Sequence, residues 1–196
     1  MGEWKHIITI GREYGAGGRS VAKRISDLLG IPHYDKEIIQ LAAEKTGLSE
    51  EMIRGTEEHE SGKTLLNWFL PSGSASAYDQ AILAQAQTIR KIAEQGPCVI
   101  VGRGADYILR DEADLLRVFI HADMDFRARR VVEVYGDNGQ KPEQRLRDKD
   151  ERRKLYYRSF TMREWGDVHN YDVSLDSGRL GLDACVDVLV ALAQGK

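Results

Sequence analysis

The chain has 196 residues, 30% of them charged, a formal net charge of −3 and two cysteines. That length accommodates one domain with a substantial core, and the slightly acidic balance argues against nucleic-acid binding driven by bulk charge. No apolar stretch approaches a membrane span, the N-terminus lacks a signal-peptide core, and Cys98 and Cys185 stand alone in apolar segments as buried thiols. A soluble cytoplasmic globular protein is expected, with no metal-ligand spacing among its five scattered histidines.

Residues 5–10 form a short apolar run, 11–18 a glycine-laden loop, and 19–30 a helix with Val21, Ala22, Ile25, Leu28 and Leu29 on one face and Gly30 as its stop. Residues 31–35 are extended, because Pro32 biases Ile31 away from helix. A helix follows over 36–44, and Ser49-Glu50-Glu51-Met52 resembles the capped start of another. From 59 to 77 the periodicity lapses around the apolar patch 65–70, which includes Trp68 and Phe69. The patch is either a substrate-side flap or a partner surface, and a candidate homodimer contact. A long helix over 78–95 ends at Gly96-Pro97. Cys98–Val101 is an apolar strand running straight into Gly102-Arg103-Gly104, and 116–120 is another strand, followed by a helix through Val134. Residues 142–160 form a charged helix carrying Arg145, Arg147, Arg152, Arg153 and Arg158; a last strand spans 171–175 and a closing helix 180–193.

Strands alternating with helices predict an α/β fold, a parallel sheet covered by helices on both faces. Ligands in such sheets bind at the C-terminal strand ends. The glycine loop, Asp35 and Gly102-Arg103-Gly104 all fall there. A strand feeding a glycine loop and a helix N-terminus can cradle phosphate, because backbone N–H groups and the helix dipole converge on the anion; a dinucleotide site and a bare structural turn are the alternatives. The phosphate-loop signature is G-x-x-x-x-G-K-[ST]. Anchored on Gly18-Arg19-Ser20, the lysine position holds Arg19; anchored on Gly15-Ala16-Gly17, it holds Gly18. Gly15, Ala16, Gly17, Gly18, Arg19 and Ser20 are the candidate nucleotide-binding residues, with Ser20 a candidate Mg²⁺ ligand or a helix cap. Arg103 is a candidate for neutralising a transferring phosphoryl group, or a surface ion-pair member. The arginines of 142–160 are either a lid closing over phosphates or a solvated face of i,i+4 pairs. Asp35 either binds a hydroxyl or sugar or caps the helix that follows it.

Taken as a set, residues 8–19, 29–36 and 99–103, Asp150-x-x-Arg153-x-x-x-Tyr157, Trp165-Gly166-Asp167 and Asn170-Tyr171-Asp172 resemble the cytidylate-kinase-like branch of the P-loop nucleoside monophosphate kinases. The resemblance covers most of the chain apart from roughly 59–77. It implies one three-layer parallel-sheet domain of P-loop type over 1–196, with an acceptor-side flap at about 36–78 and a helical lid at about 136–168. It also implies transfer of the γ-phosphoryl of ATP, with Mg²⁺, to CMP or dCMP. Carried over by position, Gly15, Gly17 and Gly18 cradle the donor phosphates, Asp35 binds the acceptor ribose or base, and Arg103 lies near the acceptor phosphate. Asp150 and Arg153 match the lid pair, so Arg19, Arg103 and Arg153 are the expected catalytic cations.

The chain departs from the family pattern at four places. It has no lysine in the loop, Gly104 stands where an Asp follows the Gly-Arg pair, and Leu41 stands where an arginine is expected; a second arginine near the start of the long helix is missing, although Gln85 or Gln87 can match a helix glutamine. These departures leave two alternatives to a CMP kinase: a kinase for another small acceptor, or a nucleotide-binding regulator with little turnover.

Overall fold

The computed structural model describes residues 7–58, 77–136 and 139–195. The apolar patch 65–70, and with it the expected homodimer contact, lies outside those residues. Among the described residues no helix is long and apolar enough to cross a membrane.

Five strands form one parallel sheet: β1 Ile7–Arg12, β2 His33–Tyr34, β3 Cys98–Val101, β4 Leu115–His121 and β5 Val173–Asp176, in the order β2-β3-β1-β4-β5. The central strand β1 is apolar almost without interruption because both of its faces are covered. Its side chains alternate between two cores. Ile8 and Ile10 join Val99, Val101, Val118 and Ile120 under α1 (Gly18–Leu29) and α8 (Ser177–Ala193). On the other face Ile7, Ile100 and Leu115 meet Ile38, Ile89 and Ile108. These come from α2 (Glu37–Thr46), α4 (Ala77–Glu94) and the four-residue α5 (Ala105–Ile108). A third helix, α3 (Glu50–Glu58), adds Ile53 to a satellite core with Ile39, Ala42, Ala81 and Ala84. The sheet is therefore the middle layer of three, as the strand–helix alternation predicts.

The two helices between β4 and β5 pack against the loop that follows β1. Helix α6 (Met124–Tyr135) starts at Asp123, whose carboxylate accepts from the Phe126 N–H at 2.7 Å, and α7 spans Pro142–Thr161. They meet through Ala128, Val131 and Leu146, with Tyr14 of the glycine loop against them.

The structure corrects several expected boundaries. The final strand begins at Val173, not at 171: Tyr171 instead turns inward onto the Phe119 ring, 4.9 Å away centre to centre, and ends a short 3-10 turn over Val168–Asn170. The closing helix begins at Ser177 and is broken at Gly181 (φ 79°, ψ 157°), which leaves only the later part in the regular 3.6 pattern. The two cysteines are buried and unbridged.

Candidate phosphate-binding site

β1 ends at Arg12, the loop turns through Gly15 (φ 84°) and Gly17 (φ 86°), and α1 begins at Gly18. Both positive φ values suit glycine, since a Cβ disfavours that region. A Cβ at Gly17 would also meet Leu182 Cδ2 at 2.5 Å and Arg130 Nε at 3.2 Å. The first-turn N–H groups of α1 have no intrahelical acceptor, so the loop faces a ready anion site.

The loop is fastened from three directions. The Tyr14 N–H donates to Asp150 Oδ1 at 2.7 Å, the Ser177 hydroxyl donates to the Ala16 carbonyl at 2.7 Å, and the Ala122 N–H donates to Glu13 Oε2 at 3.1 Å. Such fastening holds donors in place before a ligand arrives, which is what makes them effective on charge.

The cradle opens into a shallow pocket whose walls include Arg12, Tyr14, Gly17, Arg19, Tyr135 and Arg153. Tyr14 and Tyr135 stack with ring centres 5.6 Å apart, and the Arg153 guanidinium lies 5.4 Å from the Tyr14 ring.

Each expected site residue has a definite place. Gly15, Ala16, Gly17 and Gly18 form the cradle. Arg19 Nε pairs with Asp35 Oδ2 at 2.6 Å, and Arg12 Nη2 lies 3.6 Å from Asp35 Oδ1. Asp35 therefore does not cap α2, whose N-terminal flanking residue Lys36 makes no side-chain cap. Arg103 is buried, not a surface residue, and donates to Gln85 Oε1 at 2.8 Å. It is held at φ 58° between Gly102 and Gly104, an uncommon conformation for a side-chain-bearing residue of the kind that clusters at functional sites.

Asp150 is also buried. Besides Tyr14 N–H it accepts from Arg127 Nη1 at 2.6 Å and Arg153 Nη1 at 3.4 Å, so its oxygens face protein donors. Arg153 additionally donates to the Arg12 carbonyl at 3.1 Å. Of the five arginines of α7, Arg153 lines the pocket and Arg145 lies 5.7 Å from the Tyr14 ring, whereas Arg147, Arg152 and Arg158 are exposed. The helix thus has an inner edge against the loop and an outer solvated face.

Ser20 does not fit its expected metal role. Arg130 Nη2 donates to Ser20 Oγ at 2.7 Å, and a guanidinium at that distance repels a divalent cation. Nor does Ser20 cap α1, which starts after Gly17. Among the described residues no group of three or more His, Cys, Asp or Glu side chains could hold a metal ion.

Several residues escaped the sequence reasoning. Arg127 and Arg130 lie on α6, one salt-bridged to Asp150, the other against Gly17 with its Nε buried and lacking a hydrogen-bond partner. Their only sequence signal was a cluster of three arginines, Arg127, Arg129 and Arg130, within one helix. Asp106 is a buried acid accepting from the Tyr157 hydroxyl at 2.7 Å. Burial pushes its carboxyl up to about 6, against the pull of the Tyr157 hydrogen bond and of Arg117. The Tyr157 phenol is itself driven upward by burial and by Asp106, so it remains the donor.

Gly104 explains one departure from the family pattern. Its φ is 63°, and a Cβ there would run into the Phe160 ring, with Cε2 at 3.0 Å. An aspartate at this position has no room while Phe160 stays where α7 puts it.

Comparison with known proteins agrees with this geometry. The model of the cytidylate kinase-like family matches residues 7–179. A cytidylate kinase of Methanopyrus kandleri is 24% identical over 195 residues, covering 94% of this chain and 91% of the relative. An uncharacterized protein from Eubacterium ventriosum has a crystal structure that superposes with a TM-score of 0.72 at 27% identity, covering 97% of this chain and 99% of the other. A shikimate kinase from Acinetobacter baumannii shares the fold at 15% identity, with a TM-score of 0.53 and 96% and 92% of the two chains covered. From the start of β1 to the first turn of α8, the chain belongs to the cytidylate kinase-like family.

Proposed function

We propose that the protein is an ATP-dependent phosphotransferase of the nucleoside monophosphate kinase type, with CMP or dCMP as the leading acceptor. The observation that carries this reading is the fastened glycine cradle at the end of β1, ringed by Arg12, Arg19, Arg130 and Arg153, in a chain of this family. In the reaction an acceptor phosphate oxygen bonds to the γ-phosphorus as the bond to the bridging oxygen breaks, and ADP leaves. Little covalent work falls to the protein, so fixed cations and backbone donors supply the catalysis. The cradle N–H groups hold the donor phosphates, Arg153 reaches them from α7, and Arg103 at the end of β3 faces the acceptor phosphate. The buried Nε of Arg130 is one donor that a phosphate oxygen would satisfy. Mg²⁺, when present, supplies charge neutralisation on the nucleotide that carries it. Ser20 is not its ligand in this arrangement.

A second reading keeps the kinase and changes the acceptor. Leu41 stands where an arginine is expected and no second arginine stands at 78–80, so two pyrimidine-side contacts of the family pattern are missing, and Phe160 occupies the space an aspartate at 104 would need.

Calorimetric titration with a non-hydrolysable ATP analogue and Mg²⁺, repeated with CMP, tests both, followed by a turnover assay over a panel of small acceptors. Analogue binding strengthened by CMP, with turnover that falls strongly in Arg103→Ala and Arg153→Ala, is the expected result. Turnover confined to another acceptor selects the second reading. No analogue binding, or unchanged turnover in both variants, overturns the role assignment.

A further inference from the structure

We infer that Arg12 performs the work of the absent loop lysine, through an exchange of residue types between positions 12 and 18; the inference rests on the phosphotransferase reading. In G-x-x-x-x-G-K the first glycine precedes the lysine by six positions. With Gly17 as the second glycine, the lysine position is Gly18 and the first-glycine position is Arg12. The loop therefore keeps one cation and one glycine at these two positions, with their places swapped.

The structure shows why the two changes belong together. A Cβ built at Gly18 would stand 2.6 Å from Arg12 Cβ and 2.8 Å from Arg12 Cγ. Those are the near carbons of the arginine, fixed by the β1 backbone, and they cannot swing aside as the end of a long side chain can. The arginine stem fills the volume that a residue at 18 would use, so a side chain fits at 12 or at 18 and not at both.

The guanidinium then goes where an outer-phosphate cation is needed. It crosses to the end of β3, so close that a Cβ at Gly102 would coincide with its Nη1, and its Nη2 lies 3.6 Å from Asp35 Oδ1 after β2. This puts it between the donor cradle and Arg103, on the wall of the pocket, with its side chain 11% exposed. Arg19 lies further out: its side chain is 39% exposed and its Nε is engaged by Asp35 at 2.6 Å. The planar fork of Arg12 suits two phosphate oxygens at once.

The test compares ATP-analogue and AMP binding by calorimetry in the full chain, its Arg12→Ala, Arg12→Lys and Gly18→Lys variants, and the double exchange Arg12→Gly with Gly18→Lys. Loss of Arg12 should weaken analogue binding by about 10- to 100-fold, the range for a charge-assisted hydrogen bond, and leave AMP affinity within about 2-fold, since AMP lacks outer phosphates. Arg12→Lys should retain part of the affinity. Gly18→Lys alone should lose analogue binding through the collision with Arg12, and the double exchange should restore it. AMP binding reports that each variant is folded. Unchanged analogue affinity in Arg12→Ala overturns the exchange alone, as does a double exchange that binds AMP and fails to recover the analogue. A wild-type chain that binds no triphosphate overturns the exchange together with the phosphotransferase reading.

Discussion

Replacing Asp106 by Asn removes a titrating group from the interior and should change how stability depends on pH. The carboxyl moves from its ordinary value of 3.8 to about 6 on folding, driven first by burial. A raised native value means that the folded state binds the proton more tightly than the unfolded one. The stability this group supports is therefore complete below about pH 4 and declines as pH rises through about 6. Two units correspond to about 3 kcal/mol when fully expressed, and integrating between about pH 5 and about pH 7.5 leaves about 1.4 kcal/mol. Asn resembles the protonated acid, still offers an oxygen to the Tyr157 hydroxyl, and does not titrate. Urea unfolding of both proteins at the two pH values reads the difference directly. The stability of Asp106→Asn relative to wild type should rise by about 1.4 kcal/mol from the lower pH to the higher, whatever the substitution costs on average. A gap constant within about 0.3 kcal/mol, or one that narrows, would refute the claim that Asp106 is buried as an acid.

Asp150→Ala should destabilise the protein by about 1–3 kcal/mol, because the Tyr14 N–H loses its acceptor and Arg127 keeps Glu13, 3.4 Å away, as its carboxylate partner; an unchanged urea midpoint would contradict it. Gly104→Asp should destabilise the protein by about 1–3 kcal/mol through its positive φ and the Phe160 contact, read as a lower urea midpoint. Adding Phe160→Ala should recover the steric part of that loss, and a double variant no more stable than expected from additivity would show that the ring is not the obstacle.

The fold was legible because its strands are buried on both faces. Residues 98–101 could be placed to the residue, since an unbroken apolar run between Gly96-Pro97 and Gly102 admits few other readings. The four-residue α5 escaped because it is barely one turn long, and the start of β5 was misplaced because Tyr171 is as apolar as a strand residue while packing sideways on Phe119. At the site, the glycine positions could be read from local spacing. The partners of Asp150 could not: Tyr14 lies 136 positions away in the chain and Arg127 lies 23 away on a different helix. Arg12 stood inside the motif throughout, but the rule that one side chain fits at either 12 or 18 is a statement about shared volume, which no linear pattern carries.

The hydrogen bond from the Tyr14 N–H to Asp150 also orders events in time. The loop is synthesised before every partner that fastens it, and β1 waits for β3 and β4 to flank it. The first four strands still leave Tyr14 without its acceptor until α7 has been synthesised, so a pairing separated by 136 residues waits for chain made after β4. A nascent chain that has reached only residue 141 carries every glycine of the cradle and none of the latch that α7 provides.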